Sequence, residues 1–186
     1  MEFLIPASSE LTLLSHTRLH GVCKIVKENG EEITDEDYSI VNLFPQSLFS
    51  QIDLEIGGIN LAYQDNLYPY KSYMETLLTY GFDSKYSHLS TSHFSKDTPK
   101  HFDDLVGGNK GYLKRKEYVK NGELFDFCIP LHVDFLHTPR AIPPGIQMKM
   151  KLTRSKDAFS ILSGDGEQFS IKIESLTLFV YRMQAS

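Results

Sequence analysis

The sequence predicts an all-β protein: an antiparallel jelly-roll β-sandwich of about eight strands with one inserted amphipathic helix and a long loop. Three observations support this class. Short stretches of alternating apolar and polar residues recur along the 186 residues and are separated by glycine-containing turns. The chain has 12 Phe and 10 Tyr, and aromatic residues favour strands. Helical patterns do not alternate with strands as a parallel sheet would require. Without an internal repeat or linker, residues 1–186 are expected to form a single domain.

The first clear strand covers residues 18–27, RLHGVCKIVK. Leu19, Cys23 and Ile25 share one phase, while Val22 and Val26 share the other. Apolar residues in both phases indicate a strand that is covered on both sides.

A hairpin is predicted after one or two helical turns within residues 43–50. Residues 52–56 alternate between apolar side chains facing inward and acidic ones facing outward, and Ile59 and Leu61 resume the alternation after Gly57-Gly58. Two glycines between two apolar stretches are a strong hairpin signal, because a primed turn needs positive φ at its centre.

The inserted helix is predicted at residues 69–79. Proline is tolerated in its first turn, and Gly81 is expected to form its C-terminal cap. Its apolar stripe is expected to pack on a sheet rather than to hold a cofactor. The stripe consists of Tyr70, Tyr73, Met74, Leu77 and Leu78.

The second half begins with a polar segment, residues 83–109, predicted to be the long irregular surface loop. The basic run at residues 110–120 is interpreted as a solvated strand edge, and Asn121-Gly122 as a hairpin turn. Alternation predicts a strand over residues 146–152. The last strand, residues 169–182, changes phase, which indicates a bulge near Glu174-Ser175.

Composition argues against several classes of partner. The net charge of −5 disfavours direct binding of nucleic acid, which needs a concentrated basic face. No apolar run approaches the ~20 residues of a membrane span, and the N-terminus does not resemble a signal peptide. Cys23 and Cys128 form no disulfide framework and are expected to be buried free thiols. A protein that is not secreted, in the cytoplasm or nucleus, is therefore predicted.

Signals for chemistry are weak. His16 and His20 stand four residues apart but in a strand-like segment, and His132 and His137 flank a turn, so no metal site is predicted. The sequence contains no GxSxG motif, no P-loop and no GxGxxG. No catalytic residue, cofactor or small-molecule substrate is predicted.

Three long segments resemble the N-terminal part of the major capsid proteins of Maverick/Polinton-type transposons and the related adintoviruses. They are NLFPQSLFSQIDLEIGG, NLYPYKSYMETLLTYG and PLHVDFLHTPRAIPPGIQMKMKLTRSKDAFSIL. The resemblance spans residues 17–182. It implies a double jelly-roll capsid protein, in which three copies form a pseudo-hexagonal capsomer and capsomers tile an icosahedral shell of a virion.

Chains of that family are longer because a second jelly roll follows the first. This chain ends at Ser186, where the first jelly roll would end. It is therefore expected to be the first jelly roll alone, as a truncated copy or a remnant retained by a host. Expected partners are further copies of itself and other capsid proteins.

Tyr63, Tyr68, Tyr70 and Tyr73 are the candidate subunit-interface residues, because aromatic residues are enriched in interfaces. Packing in the domain's own core is the alternative for these four. Two other functions stay open. A jelly-roll binding module would act as a monomer with a carbohydrate or protein ligand, and a hydrolase would present a cleft with paired carboxylates of perturbed pKa.

Overall fold

The computed structural model describes residues 1–29, 33, 37–61, 66–102, 104–105, 107–164 and 169–184. These residues form nine strands, which are β1 (Glu2–Ile5), β2 (Leu11–Lys27), β3 (Tyr38–Ile40), β4 (Phe49–Ile56), β5 (Ile59–Asn60), β6 (Phe125–Ile129), β7 (Met148–Arg154), β8 (Ile161–Ser163) and β9 (Phe169–Met183). The α-helices within the same residues are α1 (Phe44–Ser47), α2 (Tyr68–Thr79), α3 (Phe82–Tyr86) and α4 (Lys110–Tyr118). The predicted all-β class is confirmed.

The strands pair in a nested order. β2 pairs with β9, β3 with β8, and β4 with β7, all antiparallel, so early strands pair with late strands from the outside inward. This is the connectivity of a long hairpin rolled up into a jelly roll. The resulting sheets have the strand orders β1-β7-β4-β5, β6-β2-β9 and β3-β8.

The long pair β2–β9 follows the predicted pattern with one difference. The phase of Leu19, Cys23 and Ile25 is buried, but Val22 and Val26 are only half buried, so the second face of the strand is less covered than expected. The register shifts where Val22 faces Ser175 and Cys23 faces Ile173, which leaves Glu174 as the extra residue. The predicted bulge is confirmed.

The β4–β5 hairpin is also confirmed. Ile56 faces Ile59 across the turn, and Gly57 and Gly58 have φ of 58° and 83°. One detail was predicted wrongly: Asp53 is buried, where it accepts a hydrogen bond of 2.6 Å from Gln51 Nε2. The buried carboxylate is tolerated because the side-chain amide of Gln51 donates a hydrogen bond to it.

One contiguous hydrophobic core lies between the layers. Its fully buried large side chains include Phe44, Phe49 and Phe127. Gly21 lies directly against the phenyl ring of Phe127. A Cβ atom at this position would overlap that ring. The glycine in β2 is therefore a requirement of packing rather than of a turn.

The basic run was wrongly interpreted as a strand edge: it forms the helix α4. Asn109 is its N-cap, with Oδ1 accepting from the backbone N–H groups of Gly111 and Tyr112 at 3.0 and 3.3 Å. Asparagine is a preferred N-cap residue. Asn121 and Gly122 do form a turn with positive φ, but it joins α4 to β6 rather than two strands.

The predicted long loop is more ordered than expected. Residues 83–109 include most of α3 and a 3-10 helix, His88–Ser92. Leu89 and Phe94 pack with Leu43 in a second, smaller apolar cluster. Gly81 does not cap α2 in a left-handed conformation, because Tyr80 is the C-cap and Gly81, with φ of −71°, is the N-cap of α3.

Candidate functional site

Helix α2 attaches to the domain through an unusual face. Its buried residues are Tyr68, Pro69, Ser72 and Thr76, of which only the first is large. The Ser72 and Thr76 hydroxyls donate to backbone carbonyls one turn earlier, each at 2.8 Å. Small side chains whose hydroxyl groups bond within the helix let its backbone lie close to the body of the protein.

The apolar stripe of α2 points the other way. The prediction that it packs on a sheet was wrong, since the exposed fractions are 56% for Tyr70, 60% for Met74 and 83% for Leu78. The next helix, α3, also exposes apolar side chains, with Phe82 70% and Tyr86 59% exposed. We call this surface the α2–α3 apolar face, and it consists of Tyr70, Tyr73, Met74, Leu77, Leu78, Phe82 and Tyr86.

The four predicted interface tyrosines therefore have different environments. Tyr70 and Tyr73 belong to the α2–α3 apolar face, with Tyr73 partly covered. Tyr68 is a core residue: its hydroxyl accepts from the backbone N–H of His132 at 3.4 Å, and burial raises its pKa to about 12. Tyr63 lies outside the described residues. The sequence grouped these tyrosines by proximity in the chain, but helical geometry places Tyr68 on the buried side of α2 and Tyr70 and Tyr73 on its exposed side.

An apolar groove borders the α2–α3 apolar face. It has a volume of about 320 Å³ and is lined mainly by Leu43, Pro69, Tyr70, Met74 and Phe159. The rings of Tyr70 and Phe159 meet edge to face with their centroids 5.8 Å apart. The face is thus concave at one end, which gives an apolar partner a shape to fit as well as an area to cover.

A second apolar surface lies on the outer side of β9. Phe179, Tyr181 and Met183 alternate along the strand and are each between 40% and 54% exposed. The rings of His16 and His20 lie beside them in tilted arrangements, with centroid distances of 5.4 Å to Tyr181 and 6.4 Å to Phe179. Both histidines lie on β2, as the strand prediction for this segment required.

A depression with a volume of about 850 Å³ contains Asp157 and Arg154. The Asp157 carboxylate is fully engaged: one oxygen accepts from Arg154 at 2.7 Å and the other from the backbone N–H of Ile171 at 3.1 Å. These bonds join β7 to β9. The hydrolase hypothesis gains no support from a carboxylate used in this way.

The two cysteines differ in environment. Cys23 is buried in the core, and burial raises the pKa of its thiol to about 12, which makes it a poor nucleophile. Cys128 is exposed, contrary to prediction, because it lies on the outward phase of β6.

One group of side chains could hold a metal ion. Glu75, His132 and His137 each offer a ligand atom, and these atoms lie within 4.8 Å of one another. The two histidines were considered from the sequence, but Glu75 lies more than fifty residues earlier. No sequence signal connects it to them, and only the fold brings the three together.

No protein-family model, no curated protein and no solved structure matches this chain. Across the described residues, no helix has both the length and the apolar character needed to cross a membrane.

Proposed function

We propose that this chain is a structural building block of a capsid, which acts by self-association and without catalysis. The α2–α3 apolar face is the observation that carries the proposal. An amphipathic helix normally buries its apolar stripe, whereas α2 turns small polar residues inward and the stripe outward. Contiguous exposed apolar surface of this kind is typical of protein–protein contacts.

The energetics favour a contact between copies. Fully burying a Leu, Met or Phe side chain contributes about 1.5–3 kcal/mol. Association costs on the order of 4–15 kcal/mol in lost freedom, so several side chains of the face must be buried together. Four side chains of the face are exposed enough for their burial to offset this cost: Tyr70, Met74, Leu78 and Phe82.

The nested strand pairing and the resemblance to capsid proteins of Maverick/Polinton-type transposons support the same proposal. In that family jelly rolls stand side by side and three copies form a capsomer. We therefore propose that the partner of the α2–α3 apolar face is a further copy of this chain, within a virion or an assembly derived from one.

Light scattering of the purified chain over a wide range of concentrations tests this function. We expect a trimer or a larger closed assembly, which electron microscopy would then image. Leu78→Glu should shift the equilibrium toward monomer, because it places a charge in the contact. Leu124→Glu is the matched control, since this leucine is also exposed, at 62%, but lies outside the face.

A chain that stays monomeric at every concentration would contradict the capsid function. It would favour the alternative, a jelly-roll binding module. The outer row of β9 is the observation behind that alternative, because Phe179 and Tyr181 form an exposed aromatic platform of the kind on which sugar rings stack. Glycan-array binding that is lost in Tyr181→Ala would support it.

A further inference from the structure

Three metal-ligating side chains converge where α2 meets the segment after β6. Glu75 lies in the middle of α2, His132 follows β6, and His137 ends the 3-10 helix Asp134–His137. Their ligand atoms lie within 4.8 Å of one another. The rings of His132 and His137 are 6.2 Å apart at their centroids.

Two imidazoles and one carboxylate form a ligand set suited to Zn²⁺. Zinc binds histidine nitrogen and carboxylate oxygen at about 2.0–2.2 Å, and sites with three protein ligands keep a fourth position for water. The three ligand atoms would need to move closer by about 1 Å to reach these bond lengths. His137 is exposed and Glu75 half exposed, so an ion has access and the outer ligand has room to move.

Two of the three ligands are already in contact. Nδ1 of His132 lies 2.8 Å from Glu75 Oε2, and because a carboxylate only accepts, this nitrogen carries the proton. To bind the same ion as Glu75 through Nδ1, His132 must give up this hydrogen bond and carry its proton on Nε2 instead.

One cation already competes for the site. Lys71 Nζ lies 3.6 Å from Glu75 Oε1 and also forms an ion pair with Asp134. Its side chain is partly exposed and can turn toward solvent while Asp134 retains it. An ion at the site must displace or repel this ammonium group, so Lys71 should weaken binding of any cation there.

We propose that Glu75, His132 and His137 bind one Zn²⁺ ion per chain. The ion would join the middle of α2 to the segment that follows β6, two elements otherwise linked here by hydrogen bonds and ion pairs. Its binding stabilises the folded state by mass action. This inference does not depend on the capsid function.

Calorimetric titration of the metal-free chain with ZnCl₂ tests the proposal, and Co²⁺ absorption reports the ligand set. We expect one ion per chain, a higher melting temperature with Zn²⁺, and loss of about 10- to 100-fold in affinity or more in His137→Asn and Glu75→Gln. Lys71→Met should bind more tightly than the natural chain. His88 is an exposed histidine whose ring meets that of Tyr80 edge to face, so His88→Asn is the matched control and should leave affinity unchanged.

His137→Asn is the decisive variant. Its side chain is exposed, so the fold should persist and circular dichroism can verify this. Absence of stoichiometric binding overturns the proposal. Binding that His137→Asn and Glu75→Gln leave unchanged also overturns it, because the ion would then lie elsewhere. Tighter binding in Lys71→Met together with loss in His137→Asn supports it, since a purely structural Glu75–His132 hydrogen bond predicts neither.

Discussion

At the scale of single residues, His93 is a buried histidine whose pKa is strongly lowered. It is 4% exposed and lies among the rings of Phe44, Tyr118 and Phe125. Nε2 donates to the backbone carbonyl of Asp126 at 3.0 Å. Burial lowers its pKa from 6.5 to about 4, because a charged imidazolium would lose its hydration among these rings.

This residue should make stability depend on pH. The folded state keeps His93 neutral down to about pH 4, whereas the unfolded chain takes up the proton near pH 6.5. The stabilisation is therefore complete above pH 6.5 and is lost as the pH falls toward 4. We expect a loss of about 2 kcal/mol between pH 7 and pH 4.5 from this residue.

Urea unfolding at a series of pH values checks the expectation. His93→Gln, which retains a side-chain donor, should flatten the decline over this range. Some decline should persist, because burial lowers the pKa of His132 as well. His88→Gln, with an exposed side chain, is the control. Equal slopes for the natural chain and His93→Gln would refute the assignment.

At the scale of elements, α4 is held by one buried cation. Arg115 is 1% exposed and donates to Asp97 Oδ1 at 2.8 Å, to the carbonyl of Ser95 at 2.9 Å and to the carbonyl of Ile40 in β3 at 3.0 Å. It therefore joins α4, β3 and the segment before α4. The planar guanidinium with its fixed donors suits such a junction better than a lysine would.

Replacing this cation should be severe. Arg115→Met removes the cation that pairs with the buried end of Asp97 and takes one donor from each of the Ser95 and Ile40 carbonyls, although Asp97 keeps a bond from Asn109 Nδ2. We expect a loss of about 3–5 kcal/mol in the free energy of unfolding. Denaturant titration followed by circular dichroism measures it.

Lys116→Met is the neighbouring control on the same helix. Lys116 pairs with Asp37 at the surface, where such pairs contribute about 0–1 kcal/mol. A loss in Arg115→Met no larger than in this control would contradict the role given to the junction.

At the scale of the whole molecule, charge and apolar surface act in opposite directions on association. The net charge of −5 makes copies repel one another, whereas the α2–α3 apolar face favours contact. Salt screens the repulsion and leaves the apolar contribution in place.

We therefore expect self-association to increase as NaCl is added, and to increase further in sulfate, which strengthens apolar burial. Sedimentation velocity at fixed protein concentration gives the distribution of species. The Leu78→Glu chain should respond much less than the natural one. Assemblies that dissociate as salt is added would point instead to a contact held by ion pairs.

The sequence alone predicted the parts of the fold that depend on local rules. The phases of apolar residues predicted residues 18–27 of β2, most of β7 and nearly all of β9, but not residues 11–17 of β2. The Gly57-Gly58 pair predicted the hairpin, and the phase change predicted the bulge at Glu174. These predictions follow from the two-residue period of a strand or from the φ preference of glycine. Both rules are local and need no knowledge of distant residues.

The sequence determined the all-β class, the helix α2 and its amphipathic stripe. Only the tertiary structure decided which side of that helix faces solvent, because burial of Ser72 and Thr76 rather than the stripe depends on what surrounds the helix. It also decided that residues 110–118 are helical. In this helix Arg115 is buried, and its hydrogen-bond partners are Asp97 and a carbonyl of β3, both outside the helix. The tertiary structure also brings Glu75 close to His132 and His137. Such proximity between distant residues is set by packing, and no local pattern in the chain encodes it.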